Sequence, residues 1–214
     1  MQLSLIGMSG AGKSSWSIKL AEIGFRRYCC DDLIKVKLAP ELTRSDGTMM
    51  ELGEWMGFPF QAGYNKRESR YLNFEIEVLS EILDYLQDHK NNFEENIVVD
   101  TTGSVIYTGK EMLEKLRQYP IIVYLSTPPE VQEQLLRAYV SNPHPMLWRD
   151  VYNKGPNETK EEALARCYQN LFLARQALYE RYADVTIDYY TRMKECFGAS
   201  EFLEAVAVNK TVTL

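Results

Sequence analysis

Five short apolar runs alternate along the chain with longer stretches whose apolar residues recur every three or four positions. The runs are Leu3–Ile6, Phe25–Cys29, Ile97–Val99, Ile121–Leu125 and Val185–Ile187. Their lengths suit buried strands. Helical spacing covers Lys13–Ile23, Arg67–His89, Lys110–Gln118, Pro129–Val140 and Lys160–Tyr182. In the second of these, Tyr71, Phe74, Val78, Ile82 and Leu86 make a one-faced stripe, the pattern of a helix packed on a core. Parallel strands cannot be joined by a tight hairpin and need a crossover, which a helix supplies. The alternation therefore predicts an α/β fold, a five-stranded parallel sheet between two helical layers.

Two regions interrupt the alternation. Between about residues 36 and 70 the chain is rich in Gly and Met and carries Trp55, Phe58, Pro59 and Phe60. It reads as short helices and a loop standing outside the core, an insertion suited to a substrate wall. From Ser141 to Asn157, Asn142-Pro143-His144-Pro145 and Gly155-Pro156-Asn157 are turn signals. A long segment without periodicity reads as a lid or functional loop. With no internal repeat, low-complexity tract or linker, residues 1–214 read as one domain with two elaborations.

Gly7 to Ser14 reads GMSGAGKS and matches G-x-x-x-x-G-K-[ST] at every fixed position, between a strand and a helix. Such a match arises by chance in about one chain of this length in a hundred. The residue types follow from the task. A loop wrapping a phosphate turns its N–H groups inward, and glycines permit both the dihedrals and the close approach. The helix opening at Lys13 adds the positive end of its dipole. Gly7, Ser9, Gly10, Ala11, Gly12, Lys13, Ser14 and Ser15 are thus candidate ATP ligands, with Lys13 on the β- and γ-phosphates and Ser14 on Mg²⁺.

A P-loop alone does not say what the nucleotide is used for. No N-K-x-D guanine element occurs, and the chain is short for a motor. A small-metabolite kinase is left. Asp31 and Asp32 follow the second strand, whose carboxyl end is expected beside the P-loop, where a carboxylate orients an acceptor hydroxyl. The alternative task for one of them is a helix N-cap. Asp100 ends the third strand and could support Mg²⁺, followed by Thr101-Thr102-Gly103-Ser104 as a donor loop or a plain turn. Charge on the transferring group calls for arginines. Arg137 stands at the lid base, Arg175 in the long helix after it, and Arg67 and Arg70 open the helix beside the insertion.

The 214 residues carry 24 Lys and Arg against 30 Asp and Glu, a formal charge of −6. An acidic balance argues against a nucleic-acid partner, whose phosphates need a basic face. No apolar run reaches the length of a membrane span, and no leader pattern precedes the first strand. Cys29, Cys30, Cys167 and Cys196 show no C-x-x-C spacing, and with only His89 and His144 a zinc site is disfavoured. The expectation is a cytoplasmic protein with reduced thiols, a monomer or weak homodimer acting on a small molecule.

In this order the pieces resemble the shikimate kinase family. Asp31, three residues before Ile34, takes the place of the second Asp in the family's D-x-D-x-x-I, while Cys29 replaces the first. Thr101-Thr102-Gly103 aligns with a triple-glycine loop, with Val105 and Gly109 keeping the spacing. Arg137 lies seven residues before His144-Pro145-Met146-Leu147, as the family's adenine-stacking arginine lies before R-P-L-L, so His144 replaces the lid arginine. Arg175-Gln176-Ala177-Leu178-Tyr179 resembles R-x-P-L-Y, which implies that Arg175 meets a substrate carboxylate. Tyr182 to Asp188 is similar to the family's last strand. Of the F-R-x-x-E segment Glu75 remains, but Leu72 occupies the second carboxylate arginine's place, leaving Arg70 or Arg67 to substitute. The resemblance implies a P-loop kinase fold and transfer of the ATP γ-phosphoryl group, with Mg²⁺, to a hydroxyl of a small anionic metabolite. Lys13, Asp31 and Arg137 would be catalytic; Asp31, Asp32, Arg70, Thr102, Gly103 and Arg175 would bind substrate; Ser14 and Asp100 would hold metal. Rival readings are a nucleoside, nucleotide or sugar-acid kinase on the same scaffold, and a catalytically degenerate nucleotide-binding protein.

Overall fold

The computed structural model describes residues 1–89 and 95–212, with side chains described up to residue 208. The strands are β1 (Gln2–Ile6), β2 (Phe25–Cys29), β3 (Asn96–Asp100), β4 (Ile121–Leu125) and β5 (Val185–Ile187). The helices are α1 (Lys13–Glu22), α2 (Cys30–Lys37), α3 (Ala39–Leu42), α4 (Leu52–Met56), α5 (Tyr64–Asp88), α6 (Lys110–Gln118), α7 (Pro129–Ser141), α8 (Lys160–Tyr182), α9 (Tyr189–Arg192) and α10 (Ala199–Val212). Each expected strand and long helix is present within three residues of its expected ends. α8 starts where the sequence dictates, on a capping box in which the Thr159 side chain accepts from the Glu162 N–H and Glu162 reaches back to the Thr159 N–H.

All neighbouring strands pair in parallel, in the order β2-β3-β1-β4-β5. The connections leaving β1 and β3 run in opposite directions across the sheet. Right-handed crossovers therefore put α1 on one face and α5, α6 and α8 on the other. The crevice where the direction reverses opens at the carboxyl ends of β1 and β3, the place where such sheets bind ligands. The register sets Leu5 of β1 beside Asp100 of β3, and Cys29 of β2 beside the same Asp100. β3, not β2, is the direct neighbour of β1. β2 is an edge strand, and only Phe25 in it is buried. Asp31 reaches the crevice from one strand further out.

The insertion departs from expectation. It does form short helices, but Leu38, Leu42 and Met56 are fully buried and Leu52, Trp55 and Tyr64 nearly so. They join the same apolar cluster as the sheet, because the edge strand β2 leaves one side of α5 to be covered. On the opposite face α10, which no apolar run announces, closes the core through Phe202 stacked on Trp16 of α1. No helix among the described residues is long and apolar enough to cross a membrane.

Candidate active site

Directly after β1 the chain needs backbone that only glycine adopts without strain. Gly7, Gly10 and Gly12 have φ of 144°, 82° and 93°. A Cβ on Gly7 would also stand 2.8 Å from the Leu125 carbonyl oxygen. Gly12 leads into α1 with no side-chain cap, so the helix N-terminus faces the crevice through backbone N–H groups alone. Lys13 curls back over the loop, donating to the carbonyls of Gly7 at 2.9 Å and Met8 at 3.0 Å. Burial pushes its pKa down, against the pull of Asp100 and Asp31.

The loop is anchored from outside by a residue the sequence did not single out. The Arg192 guanidinium donates to the carbonyls of Ala11 at 2.7 Å, Ser126 and Ile187, tying the P-loop to the ends of β4 and β5. Burial lowers its pKa to about 10. A lone arginine beside a tyrosine pair carries no spacing signal, so only the fold reveals this clamp.

P-loop residues Ser9, Gly10 and Gly12 to Ser15 form one wall of a cleft of about 210 Å³. Asp31 and Thr101 to Gly103 form the facing wall, and His144-Pro145 the roof. The structure thus brings together Lys13, Ser14, Asp31, Thr102 and Gly103 as expected from the sequence. Ala11 is buried behind the loop and does not line the cleft.

Behind the facing wall, the buried stripe of α5 carries carboxylates among its apolar residues. Tyr71 donates a short hydrogen bond to Asp31 Oδ1. One turn on, Glu75 is fully buried and accepts from the hydroxyls of Thr102, in a short bond, and of Ser104 at 2.6 Å. Burial raises the pKa of Asp31, opposed by Tyr71 and Lys13. Burial likewise raises Glu75, from 4.5 to about 7, with both hydroxyls opposing. Glu75 stands at the helical step between Tyr71 and Val78, so a charge on an apolar face was its available signal.

The Glu75 shift has a stability consequence with a definite sign. Between 4.5 and about 7 the folded chain holds a proton that the unfolded chain has lost. Stability is therefore highest at the acid end of that window, falls as pH rises through it, and levels off above. The full difference is about 3 kcal/mol at most. Glu75→Gln keeps the shape and removes the charge, so its unfolding midpoint should change less than the parent's between about pH 5 and pH 8. Equal slopes in thermal melts of the two chains would remove Glu75 as the source.

Several expected site residues go elsewhere. Asp32 is exposed and lies 3.8 Å from Arg27, turned away from the cleft by the helical step after Asp31. Asp100 is buried, and its Oδ2 accepts from Arg27 at 2.7 Å and Ser17 at 3.0 Å, so it stands behind the cleft instead of lining it. Arg137 is on the exposed face of α7, its side chain 76% accessible, paired with Glu133 one turn back. Arg70 pairs with Glu41 and sits over Phe74. With Arg67 and Lys66 it borders a separate surface cleft of about 580 Å³. That cleft is larger, but the phosphate loop is not part of it. Arg175 is 1% exposed. Its guanidinium donates to the Gly103 carbonyl at 3.0 Å and the Leu147 carbonyl at 2.5 Å, holding roof to wall instead of facing the cleft.

The roof segment is firmly packed. Met146, Leu147 and Trp148 are buried, and the Tyr64 hydroxyl donates to the Met146 carbonyl at 2.6 Å while accepting from the Trp148 N–H at 3.0 Å. Glu68, also buried, accepts from the Arg149 N–H at 2.7 Å and holds Arg149 at a φ of 53°. The backbone at Pro143 rests on Gly53 of α4, where a Cβ would stand 1.7 Å from the Pro143 carbonyl oxygen. Gly53→Ala should therefore displace the roof and destabilise the fold by about 1–3 kcal/mol, measurable by denaturant unfolding. An unchanged midpoint would mean the roof does not bear on α4. His144 is held neutral: burial chiefly, then Lys13, lowers its pKa to about 4. Lys13 is the only cation among the residues lining the cleft.

No family model matches the sequence, and no curated protein matches it. Solved structures do. Shikimate kinase from Acinetobacter baumannii, in complex with shikimate, superposes with a TM-score of 0.63 at 24% identity, over 98% of this chain and 94% of that one. Shikimate kinase from Bacteroides thetaiotaomicron gives 0.58 at 16% identity, over 100% and 99%. The Aquifex aeolicus enzyme gives 0.55 at 17%, over 100% and 98%. The chain has the shikimate kinase fold across nearly its whole length.

Proposed function

We propose that the chain is an ATP-dependent phosphotransferase that moves the γ-phosphoryl group to a hydroxyl of a small metabolite. One observation carries the reading: a P-loop with its lysine faces a carboxylate, Asp31, across a cleft of about 210 Å³. The P-loop N–H groups and Lys13 bind the phosphates and stabilise charge on the transferring group. Asp31 accepts a hydrogen bond from the acceptor hydroxyl and aims its oxygen at the γ-phosphorus, then takes the proton as the bond to phosphorus forms and ADP leaves. The His144-Pro145 roof limits water, which would otherwise compete as acceptor. Arg175 and Arg192 act as positioning residues, the first on roof and wall, the second on the P-loop.

The donor set suits Mg²⁺, which prefers oxygen ligands shared with substrate phosphates. The Ser14 hydroxyl at the cleft would hold it, supported by the Asp100 carboxylate behind, which Arg27 and Ser17 fix in place. The ion would supply neutralisation of phosphate charge.

A second reading, a nucleotide-binding protein without transfer activity, is favoured by one observation, the absence of any cation but Lys13 among the lining residues. An ADP-release screen against polyols, sugar acids, nucleosides and nucleotides separates the two. Acceptor-dependent ADP release is expected. Tight ATP binding with no release above the acceptor-free rate across the panel would favour the second reading.

A further inference from the structure

Given the phosphotransferase reading on which this rests, we infer that the acceptor is a small hydrogen-bond-donating molecule, a neutral polyol or an amine-bearing one, and not a carboxylate. The cleft of about 210 Å³ has to hold the transferring phosphoryl group as well, so an acceptor that shares it is small.

The wall it meets has spent its protons inward. The Thr101 hydroxyl donates to the Leu5 carbonyl at 2.6 Å. The Thr102 hydroxyl donates to Glu75 and accepts from the Ser104 N–H at 3.0 Å. Asp31 has only acceptor oxygens when ionised, and Tyr71 takes one of them. The side chains of this wall therefore offer lone pairs, which bind O–H or N–H groups and repel the oxygens of a carboxylate.

Among the described residues, no cation other than Lys13 lines the cleft. Arg175 donates through both Nη atoms to backbone carbonyls and is 1% exposed, although its buried Nε has no hydrogen-bond partner. Arg70 pairs with Glu41, and Arg67 donates to the carbonyls of Met56 at 2.9 Å and Ala62 at 3.2 Å. Arg27 is drawn to Asp100 at 2.7 Å. His144, neutral in its buried place, adds no charge, and Lys13 belongs to the phosphate wall. A carboxylate in this cleft would lose its water, meet Asp31 and find no guanidinium among the residues that line it.

The test is calorimetric titration of the full chain, loaded with a non-hydrolysable ATP analogue and Mg²⁺, with three compounds on one ring-polyol skeleton: neutral, amino-substituted and carboxylate-substituted. The neutral or the amino compound should bind at least about tenfold more tightly than the carboxylate, a difference of about 1.4 kcal/mol. Asp31→Asn then tells the two sources of donors apart: it removes the charge that favours the amino compound but, keeping one acceptor oxygen, weakens a hydroxyl compound less. Folding of that variant is checked by its binding of the ATP analogue, and if it fails to fold the parent's three affinities decide alone. Carboxylate binding as tight as the others, or no binding by any of the three to analogue-loaded protein, overturns the inference. Failure of the phosphotransferase reading looks different, as the same order of affinities without ADP release.

Discussion

Lys13→Ala should lower acceptor-dependent ADP release by on the order of 10³-fold or more, since loss of a single preorganised charge-stabilising donor already costs 10²–10³. Three observations make this the largest effect expected on activity. Lys13 is the only cation among the residues lining the cleft. It is 7% exposed, so little solvent screens its charge. Its ammonium is held over the loop by the carbonyls of Gly7 and Met8, already oriented before any phosphate arrives. The fold should tolerate the change within about 1 kcal/mol, because removing a desolvated charge offsets the loss of two hydrogen bonds. Initial rates from a coupled assay, beside thermal melts, check both statements. Undiminished transfer by the variant would refute the placement of Lys13 on the phosphates.

Arg175→Met should produce the largest loss of stability, about 3 kcal/mol. In a chain of this size that lowers the unfolding midpoint by roughly 6–12 °C. Methionine fills much of the same volume but cannot donate. The Leu147 carbonyl then loses the Arg175 bond, and the Gly103 carbonyl keeps only the Tyr179 hydroxyl. Arg175→Lys should fall between the two, because one compact ammonium cannot span carbonyls that a planar guanidinium reaches with separate Nη atoms. The result also decides the role of the residue. A positioning residue predicts a lower midpoint with KM rising alike for neutral and carboxylate acceptors. A substrate clamp predicts an unchanged midpoint and a KM rise confined to carboxylates.

The parts of the site readable in one dimension are those whose physics is local. Gly7, Gly10, Gly12, Lys13 and Ser14 sit within eight residues, and their dihedral and donor requirements are met by the loop itself. Asp31 and Thr102 were legible for a related reason: each follows closely on a strand end, and strand ends in a parallel sheet share one rim. The arginines were not legible. A guanidinium sits on a long side chain that takes whichever acceptor the fold presents, and for Arg137 that is Glu133 on its own helix, for Arg70 Glu41 on α3, for Arg175 two backbone carbonyls. Resemblance in spacing placed Arg175 near the site but could not say which way its donors point. Glu75 shows the converse, a residue that matched a family position yet whose task depends on Thr102 and Ser104 arriving from β3.

By itself the sequence determined an α/β chain of five parallel strands with a phosphate loop after the first, because periodicity, glycine placement and helix starts act over a few residues. The tertiary structure alone decided the strand order that inserts β3 between β1 and β2, the burial of the insertion against α5, and which polar groups line the cleft opposite the P-loop. Those outcomes depend on which distant elements compete for the same neighbour, and a buried charge goes to the partner that best replaces its lost water.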